Sequence, residues 1–367
     1  DDASDLSPTQ AGTAQTKPWI PASAGMTDPM PSVEPANDAP DTAPPLTLQR
    51  LTRFFRNPAK AFLREQLGVV FAEAEAEADD AEAFTVAGLA HYQLIQNQVQ
   101  HWPIGADVDA LRPQIARDGA RLQRAGLLPL QGFGALTRQQ LQTTLQRMAQ
   151  AWCAVGAAYP HARERVAIDC AQAGLLLRDW IDPVQSDGAT LLWVQLNPSK
   201  LLDDKGQPRP DKLLEAWLRA LALAASPDEV ARALHGCVVG QDATLRIRPI
   251  EPEAATPQLQ HLLTVWQQGQ SAPLPLPLKT ALALVGGGKA QAVFEGSSFD
   301  PERAEVRDLC WARCFPDYEA LLTPVAPDGQ PLLQALAPSV YRPLLEWIAT
   351  HVGVQPHDAL PDPGATP

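Results

Sequence analysis

The sequence lacks any long hydrophobic run, since no segment approaches ~18 uninterrupted apolar residues. This absence argues against a membrane-spanning helix, and no charged start, apolar core and cleavage site follow one another as in a signal peptide. The Walker A, GxSxG and HExxH patterns are also missing, so the chemistry of those motifs is not indicated. The 367 residues still suffice for one large domain or for two or three smaller ones.

Cysteine is scarce, and its five copies include no CxxC pair. A zinc site therefore has no support, and the seven scattered histidines show no metal-ligand spacing. Cys310 and Cys314 lie one helical turn apart, which fits a contact between two thiols or, more often, a stripe that faces the core. An odd number of cysteines indicates reduced thiols and predicts a cytoplasmic protein.

A surplus of basic residues is absent as well, because 29 Lys and Arg stand against 42 Asp and Glu, a formal charge of −13. A protein that binds nucleic acid by itself usually carries a basic footprint. The composition argues against a free-standing DNA-binding protein but allows a part that contacts DNA inside a larger assembly. The chain begins with Asp1 rather than methionine, which suggests a fragment of a longer protein.

Composition and periodicity predict an α+β protein with five regions. Residues 1–45, rich in Pro, Ala, Ser and Thr, are expected to be a disordered linker because they cannot bury enough apolar surface. A mainly helical region is predicted over 46–160 and a small mixed sheet with helices over 161–300. Helices that pack on this domain are expected over 301–354, followed by a flexible tail over 355–367.

The stretch from Leu46 predicts two helices that are separated at Asn57-Pro58. Asparagine favours the N-cap of a helix and proline its first position. Four basic residues fall near one face of this pair, namely Arg50, Arg53, Lys60 and Arg64. They could face phosphate or an acidic partner, although a solvated face is the more common reason for such a stripe.

Two local predictions concern the middle of the chain. A helix is expected over 138–157 with Thr137 as its N-cap. Two strands should flank Gly240-Gln241-Asp242, with Arg246 and Arg248 on a wet face of the sheet, from which they could also reach phosphate.

The stretch between Gly174 and Lys200 has the pattern of a hairpin from a metal-dependent nuclease. An apolar strand runs into Asp182, a turn follows at Asp187-Gly188, and a second strand continues to Val194. Such nucleases hold a divalent cation between one carboxylate at the first strand and a D/E-x-K triplet at the second. Here the triplet falls on Gln195-Leu196-Asn197.

These residues remove the charges that the chemistry needs. Glutamine keeps the shape of glutamate without its charge, and asparagine is shorter than lysine and neutral. One carboxylate and two amides should bind magnesium poorly, and neither Lys200 nor Lys205 restores a second carboxylate. We therefore predict a degenerate nuclease site at Asp182, Gln195 and Asn197, with no catalytic, metal-binding or cofactor-binding residue.

Several longer motifs carry a resemblance to one bacterial family. They are Phe54, Phe55, Pro58, Ala61 and Phe62 in the entry helices; Glu82, Phe84, Gly88, Leu89, Tyr92 and Gln93; Gly126, Leu128, Pro129, Phe133 and Gly134; the stretch "WIDPVQSDG"; and Ser271, Pro273 and Leu274. In this order they resemble the C-terminal region of the gamma subunit of bacterial exodeoxyribonuclease V. The second motif departs from the family at Ala83, where the family has proline.

The resemblance implies a fold like that of restriction endonucleases, the PD-(D/E)XK type, without a complete catalytic site and with additional helical regions. It implies a non-catalytic part of a multi-subunit ATP-dependent exodeoxyribonuclease. Such a part would scaffold the beta and alpha subunits in a heterotrimer and help to handle or split duplex DNA during double-strand-break repair and recombination. Double-stranded and single-stranded DNA are its implied ligands, with no membrane contact.

Two alternatives stay open at this point. The chain could be an active metal-dependent DNA exonuclease whose ligands have migrated. It could also be an adaptor unrelated to DNA.

Overall fold

The computed structural model describes residues 45–71, 88–129, 131–297 and 301–357. They form the predicted α+β arrangement, in which helices flank a mixed sheet. The helices are α1 (Leu48–Arg56), α2 (Pro58–Gln66), α3 (Gly88–Val99), α4 (Val108–Arg124), α5 (Gln131–Ala158), α6 (Pro210–Ala224), α7 (Glu229–Arg232), α8 (Pro252–Ser271), α9 (Leu278–Val285), α10 (Ala290–Glu295), α11 (Leu309–Cys314), α12 (Tyr318–Leu322) and α13 (Leu332–His351). The strands are β1 (His161–Arg163), β2 (Val166–Gln172), β3 (Leu175–Ile181), β4 (Val184–Ser186), β5 (Leu191–Leu196), β6 (His235–Val239), β7 (Ala243–Ile247) and β8 (Val352–Pro356).

Some predictions fall outside the described residues. They include nearly all of the expected linker at 1–45, the motif residues Glu82 and Phe84, and the tail from residue 358 onward. Part of the expected tail is described, and there the prediction is wrong. Gln355 and Pro356 belong to β8, which pairs with β7.

The break between α1 and α2 confirms the prediction made from Asn57-Pro58. Thr47 caps α1, its side-chain oxygen accepting a hydrogen bond from Arg50 N at 3.2 Å. Asn57 caps α2 in the same way, accepting from Lys60 N at 2.9 Å, and Pro58 is the first residue of the helix. Each cap satisfies a backbone donor that the first helical turn leaves unpaired.

The main sheet has the order β1-β4-β5-β6-β7-β8, in which β5 and β6 are parallel and the other pairs antiparallel. Helix α6 belongs to the crossover connection that a parallel pair requires. Side chains alternate across the central strands. Trp193 and Val238 join a hydrophobic cluster with α1, α6 and α8, whereas Leu192, Val194 and Cys237 join one with α4 and α5. Helices therefore cover both faces of the sheet.

The first and last parts of the described chain meet in the larger cluster. The hydroxyl of Tyr341 in α13 donates a hydrogen bond to the carbonyl oxygen of Phe55 in α1 at 2.9 Å. Both side chains are fully buried. Helices α1 and α13 therefore pack together in the larger hydrophobic cluster.

The hairpin at the predicted nuclease site is built differently from the prediction. Strand β3 pairs with β2 in a separate two-stranded sheet, and β4 rather than β3 pairs with β5. Asp182 lies between β3 and β4, before a cis peptide bond to Pro183. The strand predicted to run into Asp182 ends at Ile181, as β3. Proline cannot donate a ladder hydrogen bond, and after Pro183 the separate strand β4 takes the place beside β5.

Two other local predictions are confirmed only in part. Helix α5 contains the helix predicted over 138–157 but begins at Gln131, so Thr137 lies inside it rather than at its cap. The absence of a Cβ at Gly134 lets the carbonyl of Pro129 approach the early helix closely.

The two strands predicted around Gly240-Gln241-Asp242 are confirmed as β6 and β7. Arg248, which follows β7, is exposed as predicted. Strand β7 itself has no wet face, since Thr244 is 3% exposed and Arg246 is half-buried over the ring of Tyr159.

The five cysteines are all unpaired in the structure, and four of them are buried. Cys310 is buried and Cys314 is half-buried in the larger cluster, as a core-facing stripe requires. Burial raises the pKa of the Cys170 and Cys237 thiols to about 11, so both stay protonated at neutral pH.

Candidate functional site

A cleft of about 1530 Å³ opens where β5 ends. Residues of α1, α3, α6 and α9 form its walls. Asp182, Gln195 and Asn197, which the sequence places in one site, all line this cleft. The structure therefore brings the three predicted residues to a single surface.

The register of β4 and β5 explains why Asp182 and Gln195 share this surface. Val184 lies opposite Trp193, and Val194 N donates to the carbonyl of Pro183 at 3.3 Å. Continuing the antiparallel register by one more residue pair sets Asp182 opposite Gln195. Asp182 is exposed to solvent, whereas the Gln195 side chain is half-buried.

Asn197 has a structural part in this cleft. Its backbone N–H donates to the carbonyl of Val239 at 2.8 Å, which extends the contact between β5 and β6. Its side-chain oxygen accepts from Ser199 N at 3.0 Å. An asparagine that bonds the backbone two residues ahead stabilises a turn, so the residue in the expected lysine position shapes the loop that leaves β5.

Gln195 is held by two charged side chains from α6. Its Nε2 donates to Glu215 Oε1 at 3.1 Å, and its Oε1 accepts from Arg219 Nη1 at 3.4 Å. Arg219 also pairs with Glu215 at 3.5 Å, and Arg56 of α1 reaches the other carboxylate oxygen at 3.4 Å. Both the amide nitrogen and the amide oxygen of Gln195 are therefore hydrogen-bonded. At the place where the triplet would need a carboxylate, a neutral side chain links β5 to α6.

The indole ring of Trp193 packs against the guanidinium of Arg219. The guanidinium carbon lies 4.9 Å from the centre of the indole ring, a cation–π arrangement. Gly236 makes room for that ring, because a Cβ at this position would lie 2.2 Å from Trp193 Cζ2. Burial lowers the pKa of Arg219, and the carboxylates of Glu215 and Asp179 oppose that shift. Arginine remains protonated in such settings, so a permanent cation sits beside Gln195.

Sequence reasoning missed Glu215 and Arg219. A signal for them exists in "PDKLLEAWLRALALAA", where they are the only charged residues after the first turn and lie four residues apart. At that spacing two side chains share one face of a helix. On a helix that is otherwise apolar, a single charged pair indicates the one face that meets a polar surface.

Over the described ranges, no set of three or more His, Cys, Asp or Glu side chains is placed so as to hold a metal ion. The helices there include none that has both the length and the apolar character needed to cross a membrane.

Comparison with known proteins places the chain next to one family. The family model described as the RecC C-terminal domain matches residues 43–288. The RecBCD enzyme subunit RecC of Escherichia coli (strain K12) is 28% identical over 235 residues, which are 64% of this chain and 18% of that protein. Its counterpart in Mycobacterium tuberculosis (strain CDC 1551 / Oshkosh) is 28% identical over 280 residues, 73% of this chain and 22% of that protein. The chain thus spans only a minor part of the length of these relatives.

Proposed function

Because the chain belongs to the RecC C-terminal domain family, we propose that it is the C-terminal part of the gamma subunit of an exodeoxyribonuclease V. In this proposal the mixed sheet is a domain of the PD-(D/E)XK nuclease type that does not cut DNA. It joins the beta and alpha subunits in one complex and helps to handle or split the duplex during double-strand-break repair.

The observation that carries the proposal is the environment of Gln195. The place where a nuclease needs a second carboxylate holds an amide that bridges Glu215 and Arg219. A guanidinium at that point opposes a divalent cation by charge repulsion, and the one acid at the expected place, Asp182, is exposed to solvent. This arrangement favours a binding surface over hydrolytic chemistry.

Two measurements test this function: capture of the partner subunits by the chain, and an assay for cleavage of DNA by the chain alone. The purified chain should capture exodeoxyribonuclease V beta and alpha subunits from a mixture of the purified proteins. It should leave linear duplex and single-stranded DNA intact in magnesium and in manganese. Failure of capture would favour the adaptor that is unrelated to DNA, and it would overturn the proposed role.

An exonuclease with migrated ligands is the rival, and one observation favours it. Glu215 and Asp211 place two carboxylates in the same cleft as Asp182. The rival predicts metal-dependent degradation of DNA that is abolished by Asp182→Ala and by Glu215→Gln. The matched control is Asp169→Ala, because Asp169 lies on β2 and pairs with Arg178 away from the cleft. Degradation that is lost in the first two variants and kept in the control would replace our proposal.

A further inference from the structure

A second surface lies at one end of the helix pair α4 and α5, away from the cleft. Arg138 Nη1 in α5 donates to Gln123 Oε1 in α4 at 2.6 Å, so the start of α5 lies beside the end of α4. Trp152, which lines the cleft, is 19 residues farther along α5 than Phe133, about 28 Å at 1.5 Å per residue. The surface is called the α4–α5 tip and consists of Arg121, Arg124, Leu127, Phe133 and Leu136.

The turn at the tip contains a motif that the chain shares with the gamma-subunit family. Gly126 has a φ of +70°, in the left-handed region that favours glycine. Leu128 is buried, and a Cβ at Gly134 would lie 2.0 Å from the carbonyl oxygen of Pro129. Phe133 differs from these four residues because it is 52% exposed. Burial in the core therefore does not explain the aromatic member of the motif.

Three large apolar side chains are exposed at the tip. Leu127 is 57% exposed, and Phe133 and Leu136 are each 52% exposed. Phe133 and Leu136 are three positions apart in α5, so they lie on the same face of that helix. Single exposed apolar residues are ordinary, whereas several at one place mark a surface that contacts a partner.

The tip is basic, although the chain as a whole is acidic. No Asp or Glu lies between Asp118 and Glu164, whereas five arginines do, in a chain with a formal charge of −13. Arg121 and Arg124 are exposed in the last turn of α4. Neither forms an ion pair within the described ranges. A partner that neutralises them must carry negative charge.

We propose that the α4–α5 tip is a docking site for a short acidic segment of a protein other than the beta and alpha subunits. The segment carries leucine or phenylalanine among its aspartates and glutamates. Its carboxylates pair with Arg121 and Arg124, and its apolar side chains pack against Leu127, Phe133 and Leu136. The proposal goes beyond the role described above, because it adds a protein contact outside the cleft and the sheet.

The composition of the tip agrees with that of known protein interfaces. Their buried centres are apolar and their rims are polar, and arginine is enriched among the residues that dominate binding. Removal of the exposed apolar side chains from water favours association, and the two arginines select the sign of the partner's charge.

The size of the tip fits a short segment rather than a permanent subunit. A stable interface between folded proteins buries about 1,200–2,000 Å² in total. Three apolar side chains and two arginines form a much smaller contact surface, which is typical of a transient partner.

An acidic peptide also fits the tip better than a nucleic acid does. A phosphate backbone would pair with the arginines, but it offers no apolar group to Leu127 and Leu136. Among the three exposed apolar side chains of the tip, Phe133 alone has a ring that can stack on a base. A segment with leucine or phenylalanine covers all three.

Fluorescence anisotropy with the 367-residue chain tests this inference. The probe is a labelled peptide in which aspartate alternates with leucine and phenylalanine. One control peptide has asparagine in place of aspartate, and the other has serine in place of leucine and phenylalanine. The chain should bind the probe more tightly than either control, because each control lacks one of the two kinds of contact.

Two double variants separate the charged and apolar parts of the tip. Arg121→Gln/Arg124→Gln removes the charges, and Leu127→Ser/Phe133→Ser removes apolar side chains. Each should bind the probe about fivefold to tenfold more weakly than wild type. The loss in the arginine variant should shrink as salt rises, because salt screens exposed charges.

Matched control variants make the same kinds of change at other places. They are Arg313→Gln/Arg342→Gln and Leu309→Ser/Val325→Ser at exposed residues, and Lys200→Gln/Lys279→Gln in the cleft. All three should bind the probe like wild type. Thermal unfolding shows whether each variant is folded, and the comparison of the three peptides needs no variant.

Several outcomes would overturn the inference. The probe might bind no more tightly than the control peptides, or both tip variants might bind it like wild type. Loss of binding in the cleft variant alone would place the peptide in the cleft. Oligothymidine that displaces the probe as strongly as unlabelled peptide does would assign the tip to nucleic acid. Dimers of the chain that the tip variants abolish would assign it to a second copy.

Capture of the beta and alpha subunits separates this inference from the proposed function. Both tip variants should still capture the two subunits. Loss of capture in these variants would assign the tip to a contact within the complex, which refutes the inference and leaves the proposed function intact. A wild-type chain that binds the probe but captures neither subunit would refute the proposed function alone.

Discussion

Arg219 owes its place to partners that come from different parts of the sequence. Glu215 lies one helical turn before it, while Gln195 and Trp193 belong to β5. Arg219→Gln would leave Glu215 with Arg56 as its remaining cation. We expect the free energy of unfolding to fall by about 1–3 kcal/mol, the usual cost of leaving a partly buried charged group without its partner. Urea denaturation measures this change.

A double-mutant cycle with Glu215→Gln separates the pair from its surroundings. If the two side chains stabilise each other, the double variant should lose less stability than the two single variants together. Additive losses would show that Arg219 acts through Trp193 instead.

The same residues show what a sequence can reveal about a site. The neutral triplet at Gln195-Leu196-Asn197 is visible in the sequence because β5 ends there and the spacing from Asp182 is short. The partners on α6 are 20 and 24 residues farther along the chain than Gln195. Only the crossover connection between β5 and β6 places Glu215 and Arg219 beside Gln195. The spacing of residues along the chain does not show which face of α6 contacts β5.

Asn57, between α1 and α2, is hydrogen-bonded to Asp308, which lies 251 positions farther along the chain. Its side-chain oxygen caps α2, and its Nδ2 donates to Asp308 Oδ2 at 3.0 Å. Asn57→Ala removes both interactions and should cost somewhat more than the ~1 kcal/mol of a typical cap.

Asn57→Asp is the matched variant, because it keeps the cap but sets a second carboxylate against Asp308. Its stability relative to wild type should improve as falling pH protonates one of the two carboxylates. Urea denaturation at several pH values measures both variants, and a pH-independent difference between Asn57→Asp and wild type would contradict this account.

Elements with strong local signals were predictable, and elements that depend on distant partners were not. The capped break at Asn57-Pro58 follows from its capping residues, and the body of α5 follows from the apolar periodicity over 138–157. Strand β8 has the sequence VGVQP, with glycine, proline and mostly exposed residues, which disfavours a strand. Pairing with β7 stabilises it. The interruption at Pro183 likewise reflects a switch between two sheets.

At the scale of the whole fold, the histidines at 91, 261 and 351, all within the described residues, make stability depend on pH. Burial lowers the pKa of His91, His261 and His351 below the ordinary value of 6.5, and a nearby Lys200 adds to the shift of His91. Below pH 6.5 the unfolded chain therefore binds more protons than the folded one, and the free energy of unfolding falls as the pH falls. Above that pH this contribution is fully present.

Urea denaturation at about pH 7.5 and about pH 5.5 checks this prediction, since carboxylates titrate mostly below that range. His261→Gln removes one of the three groups, so its difference between the two pH values should be smaller than that of wild type. A wild-type chain that is equally stable at both pH values would contradict it.

The hydrogen bond between Tyr341 and Phe55 spans 286 positions of the chain, and this separation has a consequence for biosynthesis. When the ribosome has released the chain up to β7, the larger hydrophobic cluster still lacks the buried residues that α13 contributes to it. Contacts of such long range make folding slow and expose nascent chains to aggregation. The growing polypeptide should therefore stay open to aggregation, and benefit from chaperones, until α13 leaves the exit tunnel.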